Sequence, residues 1–130
     1  MLYDLSDLHR YSKGDSGFEG DLLQAFLDQA SAFISQVNGL TACSRLAEVG
    51  RAAHKFRSSI SFFGMEAIRA ELELLEGCCN EDGRQEHALK LYFSVKAQLQ
   101  QVIPKIEKER RRCRQAQSRG LLPLSNSKNG

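Results

Sequence analysis

Residues 46–64 read LAEVGRAAHKFRSSISFFG, and the spacing within this stretch decides the fold class. Leu46, Val49, Ala53, Phe56, Ile60 and Phe63 recur at intervals of three and four. That period lays them along one stripe of an α-helix and fits no strand, where a face repeats every second residue. Gly64 breaks the pattern and ends the segment. A helix with a single apolar stripe has to bury it against other elements.

Similar stripes lie on both sides. Upstream, Leu23, Phe26, Ala30, Phe33 and Val37 keep the same step. Downstream come Met65, Ile68, Leu72, Leu75 and Cys79, then a turn at residues 80–83, then Ala88, Leu91, Val95, Leu99, Val102 and Ile106. Ser16 and Glu19 have capping-box spacing at the head of the first long segment, with Asp15 as the rival cap. Asn38-Gly39 predicts its end, and Thr41 can cap the next helix. Pro104 has no backbone donor and predicts a kink or a stop. Leu2, Tyr3, Leu5 and Leu8 form a short leading segment, helix or apolar flap. The expected architecture is all-α: an antiparallel four-helix bundle with a short additional N-terminal helix and a basic C-terminal tail. Residues 1–106 form the bundle domain, and 107–130 a basic, partly disordered extension.

Charge is divided along the chain. Residues 1–103 hold 10 Lys/Arg against 14 Asp/Glu, and residues 104–130 hold 8 against 2. The body is mildly acidic and the basic character belongs to the tail. Cys43, Cys78, Cys79 and Cys113 fit neither a disulfide framework nor a zinc pattern. With no signal peptide and no long apolar run, the expectation is a soluble cytoplasmic protein with reduced thiols. Met1 and the polar C-terminus favour a free-standing protein over an excised domain.

One residue on the opening stretch departs from the amphipathic pattern. His54 lies roughly 130° from the centre of the apolar stripe, so it faces outward. Gly50, Arg51, Arg57, Ser58 and Ser61 surround it at one-turn spacing. Such a histidine offers a nucleophilic imidazole nitrogen, neutral for much of the time near pH 7. Nearby cations balance the charge of a transferred phosphoryl group, and small neighbours admit a second protein. A surface histidine beside arginine is more often just solvated, so geometry alone leaves the assignment open.

The run from His54 to Gly64 resembles the signature of histidine-containing phosphotransfer (HPt) domains, in which the phosphorylated histidine is followed by Lys, Gly and Ser and, ten residues on, by Gly. Ala52-Ala53 before it, Gly64-Met65-Glu66-Ala67-Ile68 after it, Leu75-Glu76, and the upstream Gly14-Asp15 with Phe26 are similar too. The likeness covers about residues 1–106. It implies a phosphoryl carrier in a two-component relay. His54 accepts the group from a receiver-domain phosphoaspartate or a hybrid histidine kinase and passes it to a response regulator. Arg57 stands at the family's Lys position and would help neutralise the phosphoryl group. Glu76 would hydrogen-bond the imidazole, and Gly64 would permit the turn between the helices of the site. Partner docking falls to Gly50, Arg51, Lys55, Ser58 and Ser61. The resemblance implies no resident cofactor, the Mg2+ coming with the partner receiver, and no kinase active site in the chain. Arg57 for Lys and Ser58 for Gly are departures, the first changing donor geometry and the second adding bulk.

Rival readings are a helical adaptor that binds receiver or kinase domains without transfer, and a basic-tailed nucleic-acid binder. The tail lacks interleaved aromatics, which argues against base stacking. His9 and His87 have no partner at ligand spacing, so no metal site is expected. Cys79 reads as core packing. No membrane insertion and a monomeric state complete the expectation.

Overall fold

A computed structural model describes residues 3–42, 45–81 and 83–120. Among these residues there are five helices and no strand: α1 (Ser6–Ser12), α2 (Ser16–Ala42), α3 (Leu46–Ser59), α4 (Glu66–Cys79) and α5 (Gln85–Gly120). The helices pack in cyclic order, α2 against α3 and α5, α4 against α3 and α5, with α1 laid on α2. The expected stripes meet in one core, where Leu23, Phe26, Val49, Ala53, Ile68, Leu72, Val95 and Leu99 are all buried. Phe33 stacks on Phe56 at a centroid distance of 4.7 Å and Phe26 meets Phe63 at 5.1 Å, fastening α2 to α3 and to the turn that follows it. In α5 the fully buried aromatic is Tyr92, beside the expected Leu91. Its single hydroxyl proton is shared between Asn38 Oδ1 (2.6 Å) and the Ile34 carbonyl (3.1 Å), so its polar end is satisfied.

Four local expectations are corrected. Asp15, not Ser16, caps α2: the Phe18 N–H donates to Asp15 Oδ1 at 2.9 Å, while the Glu19 carboxylate binds His9 and Ser12 instead of reaching back. Asn38-Gly39 does not end α2, which runs to Ala42. The Asn38 side chain serves Tyr92, and Gly39 is not left-handed. Thr41 therefore lies inside α2, its hydroxyl donating to the Asn38 carbonyl, and does not cap α3. Of the kink or stop expected at Pro104, the stop does not occur, and α5 runs on to Gly120. Pro104 faces solvent while Val102 and Ile106, two residues to either side, are buried, and this packing offsets the missing hydrogen bond.

The helix crosses the expected domain limit at residue 106 without interruption, and residues 107–120 of the extension are helical. They lie on the start of α2, with Cys113 close to Gly20, Gln117 close to Gly17, and Arg114 3.2 Å from Asp21. The rest of the tail, residues 121–130, falls outside the described residues, as do Leu2 of the leading segment and Cys43. Among the described residues no helix is long and apolar enough to cross a membrane.

Candidate functional site

Gly50 and Gly64 set the site's frame. Gly50 is buried against α4, where an added Cβ would stand 3.1 Å from the Cys79 Cβ. Its small size lets α3 and α4 approach, and it also lines the depression beside His54. Gly64 is left-handed at φ +59°, and a Cβ there would lie 2.6 Å from Asp4 atoms. The Asp4 N–H donates to the Phe63 carbonyl at 2.9 Å, so this turn also anchors the segment leading into α1.

On that frame α3 offers His54 to solvent and α4 supplies its partner. The His54 side chain is 67% exposed and that of Glu76 only 17%. Nδ1 of His54 lies 2.8 Å from Glu76 Oε1. A carboxylate can only accept, so Nδ1 carries the proton and donates it, leaving the lone pair of a neutral ring on Nε2. Arg57 closes the other side of Glu76, its Nε donating to Oε2 at 2.6 Å, and also stands 3.8 Å from Glu73. Burial pushes the Glu76 carboxyl up, but the hydrogen bonds from Arg57 and His54 outweigh it and hold the group below the usual carboxylate range. The same pairing holds the Arg57 guanidinium above its ordinary value.

The structure thus brings His54, Arg57 and Glu76 together: Arg57 pairs with two carboxylates, and its Nη2 also lies 3.4 Å from His54 Nδ1, on the side of the ring away from Nε2. Arg51 is 72% exposed and shares a depression with Ala47, Gly50, His54, Glu76 and Asn80. Ser58 and Ser61 are exposed, each hydroxyl turned back onto helix or turn carbonyls, Ser58 onto that of His54 at 3.4 Å. Lys55 points to the other side of α3, toward Gln29 and Gln36 of α2.

Two features escaped the sequence. Glu73 and Asn80 belong to the site by way of α4 packing, one turn to either side of Glu76. His9 also has a carboxylate after all: its Nδ1 lies 2.7 Å from Oε1 of buried Glu19, whose Oε2 accepts from Ser12 at 2.6 Å. Nothing in the spacing announces this pair, because it spans the turn between α1 and α2. Among the described residues no group of three or more His, Cys, Asp or Glu is arranged to hold a metal ion. Cys78 and Cys79 are buried, and burial pushes the Cys79 thiol up to about 11, which suits core packing.

Residues 21–105 match the family model of the Hpt domain. No curated protein and no solved structure matches the chain.

Proposed function

The chain belongs to the Hpt domain family, and from that premise we propose that it is a phosphoryl carrier of a two-component relay, with His54 as the residue that bears the group. The observation that carries this reading is the Nδ1–Glu76 hydrogen bond, which fixes the tautomer with Nε2 free at an exposed position. Nε2 attacks the phosphorus of a receiver's phosphoaspartate in line. The N–P bond forms as the acyl P–O bond breaks, and the aspartate carboxylate leaves. The ring keeps its Nδ1 proton and becomes an imidazolium, whose positive charge sits against the Glu76 carboxylate. Reversal of these steps phosphorylates the next receiver.

Arg57 keeps Glu76 ionised and in place, so it acts through that carboxylate. Catalysis by the chain itself is positioning and electrostatics. It carries no kinase active site or resident cofactor, and the magnesium ion travels with the receiver. Arg51, Lys55, Ser58 and Ser61 form the docking surface for response-regulator receivers or a hybrid kinase in a small, transient complex. The protein acts as a cytoplasmic monomer. The cyclic packing order and the brief connections at residues 43–45, 60–65 and 80–84 support an antiparallel run of the four long helices.

Incubation with a phosphorylated receiver tests the proposal. The chain is expected to take up acid-labile, alkali-stable label, and His54→Gln to take up none. Equal labelling of the variant, or a stable complex with no labelling of the parent, would sink it, the latter in favour of the non-transferring adaptor.

A further inference from the structure

A phosphoryl group on His54 brings about two negative charges to the surface near neutral pH. The groups nearest the ring are poorly suited to receive them. Glu73, Glu76 and Arg57 together hold two negative charges against one positive; Arg57 pairs with the carboxylates through Nε at 2.6 Å and Nη1 at 3.8 Å, and its Nη2 meets the ring at Nδ1 (3.4 Å) rather than at Nε2. On the other side of the ring lies the depression lined by Ala47, Gly50, Arg51, His54, Glu76 and Asn80. Arg51 stands one turn before His54 on α3. Its nearest carboxylate, Glu48, is 4.0 Å away, the outer limit of an ion pair. Gly50, which lets α4 approach α3, brings Glu76 and Asn80 up to the same depression.

Resting on the carrier reading of His54, we propose that Arg51, assisted by the Asn80 amide, cradles the transferred phosphoryl group, and that Arg57 is a positioning residue acting through Glu76. The forked donors of a guanidinium fit two phosphoryl oxygens at once. The Asn80 amide adds an uncharged donor from the end of α4. Arg51 reaches the group without releasing a partner of consequence, whereas Arg57 holds Glu76 through Nε and approaches the ring at Nδ1, the nitrogen that does not carry the group.

A small donor separates this contact from docking, because no receiver takes part. With phosphoramidate, His54 Nε2 attacks phosphorus, the N–P bond to His54 forms, and the P–N bond to the departing ammonia breaks. The rate of phosphohistidine formation is measured for the parent and for Arg51→Gln, Arg51→Lys, His54→Gln and Arg69→Gln. Arg69 lies on α4 next to Glu66 and serves as the charge-loss control. Arg51→Gln is expected to slow uptake about tenfold, the effect of one charge-assisted hydrogen bond at an exposed position. Arg51→Lys should recover part of the rate, and Arg69→Gln should match the parent. High salt should narrow the gap between parent and Arg51→Gln, because an exposed charge is screened. If Arg51→Gln labels as fast as the parent while His54→Gln stays unlabelled, the cradle is wrong and the carrier reading stands. If the parent takes no label, or His54→Gln labels like the parent, both fail.

Discussion

His54, Arg57 and Glu76 illustrate how much of a site one stretch of sequence can contain. Helical spacing puts His54 outside the core, and the family likeness points to Arg57 and Glu76. All three lie within hydrogen-bond reach of one another. Their order of contact was not legible. Spacing along α3 puts Arg57 one turn from His54, but only the α4 register decides that its guanidinium binds Glu76 and Glu73. The consequence for pH follows from the sign of the shift. The Glu76 carboxyl is held below its ordinary value of 4.5, so its contribution to stability is complete above that value and is lost as the pH falls through the lower folded one. Urea-unfolding midpoints measured from pH 7 to pH 3 should fall more steeply for the parent than for Glu76→Gln, the difference opening below about pH 4.5. Parallel curves would show that the ion pair contributes nothing to acid stability.

At the scale of elements, the apolar stripes were readable almost residue by residue and the helix ends were not. A stripe is set by burial of many residues, whereas an end depends on which side chain wins one hydrogen bond. Asp15 displaces Ser16 as cap, Gly39 keeps a right-handed backbone so that α2 runs on to Ala42, and packing carries α5 through Pro104. Gly64 is the exception, because its sequence break and its left-handed backbone agree. Two costs converge there: an added methyl group in a positive-φ conformation costs about 1–2 kcal/mol, and it would also meet the Asp4 backbone. Gly64→Ala should therefore lower unfolding stability by at least that amount, measured by thermal or urea denaturation, and loosen the segment leading into α1. An unchanged melting temperature would mean that the 60–65 turn adapts freely.

For the whole molecule, the division of charge was plain in the sequence, but the basic segment's attachment to the bundle was not. Its contacts with Gly17, Gly20 and Asp21 lie about a hundred residues away in the chain. The principal core residues all precede residue 107. A chain ending at Ile106 should therefore remain folded and lose only about 1 kcal/mol, the scale of one surface ion pair and a partly buried thiol. Helical circular dichroism and urea midpoints check this, and loss of folding would make residues 107–120 part of the domain. Charge-driven binding to nucleic acid, if present, would vanish with the same truncation. Tyr92 carries a different consequence. The chain has no Trp and three Tyr, and Tyr92 is the one fully buried, with burial pushing its phenol upward. It lies where α5 meets α2, bonded to the Ile34 carbonyl. The Tyr92 part of the near-ultraviolet signal, taken as the difference from Tyr92→Phe, is therefore an internal optical gauge of whether these two helices are closed, readable without any added dye.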